Sequence, residues 1–308
     1  MISVIIPAYN EEGNVIPLYI RLRAVLDGVG DTWEIVFVDD GSVDKTFLFL
    51  RDINIKDQRV KIIRFRKNFG QSSALDAGFK FAKGEIIFAM DGDLQDDPFE
   101  IPKLLEELKK GYDFVGAWRF ERKDSFFKKL FSKFSGLLRR VITRENVHDS
   151  GTTFRAYKRI TLTDLNLFGE MHRYIPYLLI WKGFKFKEIK VKHHRRMHGK
   201  TKYGYKRLLK GFLDLLVVKF WMQYSTRPVH LFGGVGIIMS LFGFLLGFYL
   251  TIEKLFFGQS LANRPLLLLS VLLIILGIQF LIFGILADIQ IRNYYKETVP
   301  YNIEKILE

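Results

Sequence analysis

Apolar residues in the first ninety positions come in short continuous runs and do not alternate with polar ones. Residues 2–8, 33–38, 60–64 and 85–90 each read as a strand buried on both faces. Between the runs the spacing turns helical. Ile16, Leu18, Leu22 and Leu26 share one face, and residues 44–53 predict a second helix, with Asp44 as N-cap or first-turn acid. A third helix follows Phe69-Gly70-Gln71 and runs through Ala82. Strands alternating with helices at this spacing predict an α/β domain, a mostly parallel sheet with helices on both faces. The polar turns then fall at the carboxyl ends of the strands, where such sheets bind nucleotides.

Toward the C-terminus the pattern changes. Residues 229–251 and 265–287 contain no Asp, Glu, Lys or Arg. Each would make a helix of about 34 Å, enough to cross a hydrocarbon core of about 30 Å. A buried core helix is the plainer alternative, but it hardly ever needs so long a charge-free stretch. Lys200, Lys202, Lys206, Arg207, Lys210, Lys219 and Arg227 crowd the approach to the first span, and Arg292, Lys296 and Lys305 follow the second. The connecting loop has only Lys254 and Arg264, opposed by Glu253. That bias places both chain ends in the cytoplasm, with a transmembrane hairpin over 229–287 and a cytosolic tail over 288–308. The first strand begins at the initiator Met with no signal peptide ahead of it, so the domain over 1–204 is expected in the cytoplasm, on the plasma membrane in a prokaryote.

Charge sharpens this picture. The 308 residues carry 47 Lys and Arg against 33 Asp and Glu, a net +14, with conspicuous acids early and bases dense over 119–227. Such an excess fits nucleic acid, an anionic membrane or a phosphorylated substrate. Residues 126–142 place apolar side chains on one face and Lys128, Lys129, Lys133, Arg139 and Arg140 elsewhere, a cationic amphipathic helix suited to a membrane interface. A helix packed on the sheet with a solvated basic face is the alternative there. A second amphipathic stretch, over 205–228, leads into the first span. The chain has no cysteine, which excludes disulfides and thiolate metal sites.

The chemistry concentrates at Asp91-Gly92-Asp93-Leu94-Gln95-Asp96-Asp97, directly after the fourth strand. In an extended chain Asp91 and Asp93 would face opposite ways, and Gly92 lets the backbone turn so that both meet one hard cation. Oxygen ligands of this kind suit Mg2+ or Mn2+ shared with substrate phosphates. An acidic turn with Asp97-Pro98 opening the next helix is the other reading. Three further strand-end turns offer groups for a nucleotide: Pro7 to Glu12 with Tyr9 and Glu11, Asp39-Asp40, and Lys67-Asn68-Phe69-Gly70. Asp39 is suited to accept from a base N–H, and Asp40 to cap the turn after it. His193 and His194 lack a third ligand at metal spacing and read as structural or phosphate-contacting.

Val4-Ile5-Ile6-Pro7-Ala8-Tyr9-Asn10-Glu11, Val38-Asp39-Asp40-Gly41-Ser42 and Asp91-Gly92-Asp93-Leu94-Gln95 together resemble the signature of family 2 glycosyltransferases of the GT-A fold. Gly116-Ala117-Trp118-Arg119, His148-Asp149-Ser150-Gly151 with Phe154 to Lys158, and His193 to Arg196 with Gly199 to Gly204 resemble its polyprenyl-phosphate branch. That branch includes dolichyl-phosphate mannose synthase and undecaprenyl-phosphate glycosyltransferases of the GtrB and ArnC type. The resemblance implies inverting transfer of one sugar from a nucleotide-sugar, a UDP-hexose such as UDP-glucose or else GDP-mannose, onto a dolichyl or undecaprenyl phosphate. It implies a divalent cation, Mg2+ or Mn2+, on Asp91, Asp93 and Gln95. Pro7, Tyr9, Glu11 and Asp39 would frame the nucleoside, and Arg119 a donor or acceptor phosphate. Asp93, Arg119 and Asp149 are the catalytic candidates, Asp149 as a base or as an orienter of the acceptor. Arg195, Arg196, Lys200 and Lys202 would meet the lipid phosphate at headgroup depth. Homo-oligomeric assembly is compatible with the resemblance.

Two other functions compete. A processive polysaccharide synthase shares the early motifs, but Gln223 to Arg227 is spaced differently from the motif such enzymes carry, and two spans make a poor polymer channel. A non-catalytic membrane-anchored basic protein, such as one binding nucleic acid, would not need strand-end acids, which repel phosphate unless a cation intervenes. No nucleic-acid partner is therefore expected.

Overall fold

The computed structural model describes residues 1–119, 147–167, 169–192, 194, 217, 219–220, 223–224, 227–258, 260 and 264–294. The expected interfacial helix over 126–142, His193, Arg195, Arg196, Lys200, Lys202 and most of 205–228 lie outside the described residues, as does the tail beyond 294. Two compact units emerge, Met1–Val218 and Lys219–Glu308.

The first unit is ordered β1 (Ile2–Ala8), α1 (Val15–Val29), β2 (Trp33–Asp39), α2 (Thr46–Lys56), β3 (Val60–Arg64), α3 (Gln71–Phe81), β4 (Ile86–Ala89), α4 (Ile101–Lys109), β5 (Phe114–Arg119), β6 (Arg155–Lys158), α5 (Ile175–Trp181) and β7 (Phe186–Val191). Its seven strands lie in the order β3-β2-β1-β4-β6-β5-β7. The first four run parallel, β6 runs antiparallel to β4 and β5, and β7 is parallel to β5. The continuous apolar runs have a direct cause. Ile2, Val4 and Ile6 join one core with Leu18 and Leu22 of α1 and Leu104 of α4. Ile5 points the other way, toward Gly78 of α3. Strands covered on both faces cannot alternate.

β1 sits between β2 and β4, so the chain leaves it to one side and later returns to the other. That is the topological switch point, and the crevice beyond the carboxyl ends of β1, β2 and β4 is where this architecture binds ligands. At the opposite end a buried Glu34 ties the same strands together. It accepts from Ser3 Oγ at 2.6 Å and Lys83 N at 2.6 Å, while Gly84 N donates to Ser3 Oγ at 2.7 Å.

The second unit contains α6 (Pro228–Phe257) and α7 (Pro265–Tyr294). Both are long and apolar enough to cross a membrane. They run past the charge-free stretches at their facing and outer ends, taking in Glu253, Lys254, Asp288 and Arg292. The two helices pack antiparallel on small residues. A Cβ on Gly236 would collide with the Gly277 carbonyl, and Ser270 Oγ donates to the Gly243 carbonyl at 2.8 Å. Close backbone approach of this kind is how helices associate without a hydrophobic driving force between them. Ile237, Ile238, Leu241, Phe242, Phe244 and Leu268 remain exposed around the outside. At the connecting loop Glu253 pairs with Arg264 and accepts from Tyr249 Oη at 2.7 Å.

Candidate active site

The loops after β1 and β2 are locked together. Asn10 takes a left-handed backbone (φ 55°), which asparagine tolerates better than most residues. Its N–H donates to Ser42 Oγ at 3.0 Å, and its side chain accepts from Val43 N at 3.0 Å. Glu11 N reaches Thr46 Oγ1 at 2.8 Å, and the Glu11 carboxylate accepts from Asn14 Nδ2 at 2.5 Å. Pro7 is the penultimate residue of β1, and Tyr9 follows the strand, partly exposed.

The two aspartates at the end of β2 divide the work differently from the sequence expectation. Asp39, fully buried, caps the following turn by accepting from Ser42 N through Oδ1 at 3.0 Å. Asp40 instead crosses to the loop before α3, accepting from Asn68 Nδ2 at 2.8 Å, Phe69 N at 2.7 Å and Gly70 N at 2.9 Å. The expected capping role of Asp40 thus belongs to its neighbour, because the alternation of β2 turns the two side chains to different loops. The other oxygen of Asp39, Oδ2, has no hydrogen-bond partner among the described residues, although Arg64 Nε lies 3.4 Å away in an ion pair. A buried acceptor left open at a strand end is suited to an N–H brought by a ligand.

Beyond β4, Asp91, Asp93 and Gln95 follow at the same end of the sheet. Gly92 lies in the turn after β4, as the sequence suggested, and the left-handed backbone of this loop is at the buried Leu94 (φ 62°). A Cβ on Gly92 would sit tightly, 3.2 Å from the Pro7 carbonyl, so glycine eases the close approach of this turn to β1. Asp93 is buried and accepts from Gln95 N at 3.2 Å. Asp97 caps the turn opened by Pro98, accepting from Phe99 N at 3.1 Å. His194 docks on this loop: its N–H donates to the Gln95 carbonyl at 2.8 Å, and its Nε2 lies 3.2 Å from Asp97 Oδ2.

The carboxyl of Asp91 is pushed up to about 7. Burial is the main cause, and the charges of Asp96 and Asp93 add to it, against a hydrogen bond with Thr153 and the charge of Arg119. With a folded value near 7 and an ordinary one of 3.8, the metal-free fold binds a proton that the unfolded chain has released. This contribution to stability is complete below about pH 4 and is lost as pH rises through about 7. Thermal unfolding in EDTA is expected to show a lower melting temperature at about pH 8 than at about pH 6, a difference that Asp91→Asn reduces and Mn2+ reverses.

On the other flank, Arg119 ends β5 and grips Asp149 with two parallel bonds, Nε to Oδ2 at 2.6 Å and an Nη to Oδ1 at 2.8 Å. Both side chains are nearly buried, 10% and 6% exposed, so the pair is desolvated. Burial opposes the charge of Arg119, but the hydrogen bonds and charge of Asp149, with Asp96 and Asp91 beyond, hold the guanidinium protonated more firmly than usual. Gly151 N also donates to Asp149 Oδ1, at 3.2 Å. Glu188 of β7 holds the segment from behind, accepting from His148 N at 2.8 Å and Asp149 N at 3.0 Å. The His148 ring stacks on Trp118 with centroids 4.4 Å apart.

The structure therefore brings Pro7, Tyr9, Glu11, Asp39, Asp91, Asp93, Gln95, Arg119 and Asp149 to one end of the sheet. Gln71, Thr153, Glu188 and His194 also belong to these networks, and sequence reasoning did not assign the first three any role. Among the described residues no group of three or more His, Cys, Asp or Glu is arranged to hold a metal ion. Two carboxylates and an amide fit a hard cation that completes its shell with water and substrate phosphate, and they do not fit a closed protein cage.

Strand-end carboxylates and the Arg119–Asp149 pair gathered at one end of a mostly parallel sheet define an α/β domain with its polar groups at the switch point. Glycosyl transferase family 2 matches residues 3–165, and the chain belongs to that family. It is 36% identical over 306 residues to a dodecaprenyl-phosphate galacturonate synthase of Rhizobium johnstonii, covering 98% of this chain and 90% of that one. An undecaprenyl-phosphate 4-deoxy-4-formamido-L-arabinose transferase of Edwardsiella ictaluri is 36% identical over 311 residues, covering 99% and 94%. Among solved structures, glucosyl-3-phosphoglycerate synthase from Mycobacterium tuberculosis, in complex with Mn2+, UDP and phosphoglyceric acid, superposes with a TM-score of 0.54. That likeness covers 71% of this chain and 78% of the other at 18% identity, and it bears on the fold alone.

Proposed function

We propose that the protein transfers a single sugar from a nucleotide-sugar to a polyprenyl phosphate, with inversion, at a cytoplasmic membrane face. The observation that carries this reading is the 36% identity to two such transferases of different sugars across 98% or more of the chain, hairpin included. Asp39 receives the nucleoside through its open oxygen, in the frame of Pro7, Tyr9 and Glu11. Asp91 and Asp93, with Gln95, hold Mg2+ or Mn2+ against the donor diphosphate. Bound there, the cation supplies Lewis-acid stabilisation of the charge that develops on the departing nucleoside diphosphate.

An oxygen of the lipid phosphate attacks the anomeric carbon as the bond from that carbon to the donor phosphate breaks on the opposite face. A phosphate monoester is largely dianionic at neutral pH, its second pKa being about 6, so no strong base is required. Asp149 accordingly serves as the anchor of Arg119. Its two oxygens already accept from the guanidinium at 2.6 and 2.8 Å. Arg119 thereby presents a fixed positive charge to phosphate. Arg195, Arg196, Lys200 and Lys202 are assigned to the lipid phosphate by charge and by their place ahead of the first span. Positive flanks put the domain and both termini on the cytoplasmic side of the hairpin.

Nucleotide release by the purified protein in detergent tests the reading. Mg2+ or Mn2+ is supplied with UDP-glucose, UDP-galacturonate, UDP-4-deoxy-4-formamido-L-arabinose or GDP-mannose, with and without undecaprenyl phosphate. Lipid-dependent release from one donor, with one sugar on the lipid, is expected. Polymer on the lipid would replace this reading with a processive synthase. Failure of every donor both to react and to bind would remove the enzyme reading.

A further inference from the structure

Gln71, the first residue of α3, sits where three separate segments meet. Its side-chain Nε2 donates to Asp91 Oδ1 at 2.7 Å and to Thr153 Oγ1 at 2.9 Å. The one amide nitrogen thereby bridges Asp91 and Thr153. A primary amide has two N–H groups on that nitrogen, and both are committed. The amide therefore has one orientation, because the flipped one would turn its oxygen toward a carboxylate. The backbone beneath it is equally fixed. Asp40 holds the N–H groups of Phe69 and Gly70 just before it, and buried Ser72 just after it is hydrogen-bonded to His172 Nδ1 at 2.8 Å.

Charge makes this choice of side chain significant. Asp91 already feels Asp96 and Asp93 as like charges. A lysine or arginine at position 71 would also donate to Asp91 and Thr153, but it would neutralise the acids from within. A neutral donor holds one oxygen of Asp91 in place and leaves the negative charge for an external cation. Resting on the metal site proposed above, we propose that Gln71, with Thr153 behind it, is a positioning residue that orients Asp91 and sets the affinity of the site for a divalent cation. It is a partner of the ligand and not a ligand itself. Outer partners of metal ligands typically contribute about 10- to 100-fold in affinity.

Mn2+ alone, titrated into the full-length protein in detergent and followed by the electron paramagnetic resonance signal of the free ion, tests this. Wild type is expected to hold a Mn2+ that Asp91→Ala abolishes. Gln71→Ala should weaken binding about 10- to 100-fold. Gln71→Lys should weaken it more, although lysine can reach the same two acceptors, and should melt in EDTA no lower than wild type. A merely structural role makes the opposite forecast for Gln71→Lys, with hydrogen bonds kept and Mn2+ binding intact. Wild-type binding by both variants, or loss of binding accompanied by unfolding in both, overturns the inference while the metal site stands. A wild type with no Asp91-dependent Mn2+ overturns the metal site and the inference with it.

Discussion

Asp93→Ala is expected to reduce lipid-dependent sugar transfer by about a thousand-fold or more while the domain stays folded. Asp91→Ala should do the same. Both carboxylates stand at the carboxyl end of β4, at the switch point of the sheet, where no packing demand calls for two acids. Asp93 is buried and accepts from Gln95 N at 3.2 Å. Crowding like charges costs stability unless a cation or a proton relieves it, and the raised carboxyl of Asp91 registers that cost. Removing either acid should therefore leave the metal-free protein at least as stable as wild type, while the charge appearing on the leaving diphosphate loses its counterion. Single-turnover transfer and melting in EDTA, measured on the same preparations, check both halves. Transfer that survives Asp93→Ala and ignores EDTA would mean that the acids serve the turn and not the reaction.

Asp149→Ala is expected to cost about 3–5 kcal/mol, because it leaves the guanidinium of Arg119 buried without its partner. The pair is only 10% and 6% exposed, so solvent screens it little. Replacing both residues with apolar ones of similar volume, Arg119→Met with Asp149→Leu, should recover most of that stability, since the desolvation penalty leaves with the charges. Transfer should not recover with it, because the positive charge facing the phosphates has gone. Chemical denaturation of these two variants beside wild type, with transfer rates for each, separates the anchor from a base. Asp149→Asn is informative for the same reason. It loses charge but keeps shape, so an anchoring role predicts a weakened response to acceptor concentration as well as a slower maximal rate. A base role predicts loss of the maximal rate alone.

Much of the site was legible from short stretches. Each strand of the parallel half is one apolar run, and the polar residues that follow it directly must lie at its carboxyl end. Asp39, Asp91, Asp93 and the Pro7 to Glu11 turn could be placed together on that ground. Gly92 does lie in the turn after β4, but the left-handed backbone there belongs to the buried Leu94, which the sequence does not single out. The turn cap expected of Asp40 fell to Asp39, because strand alternation settles direction only once the neighbouring loops are known.

What the sequence determined by itself was the local period and its punctuation: buried strands, amphipathic helices, two charge-free spans and the acids at strand ends. Those follow from interactions within one element or between an element and its solvent, which the order of residues encodes directly. Only the tertiary structure decided that β6 slips antiparallel between β4 and β5, which carries Thr153 to Gln71 across 82 positions and Glu188 to Asp149 across 39. Strand order is a contest among pairings of similar backbone hydrogen bonds, resolved by the packing of the whole sheet. Contacts that depend on it have no signature in any single stretch of chain.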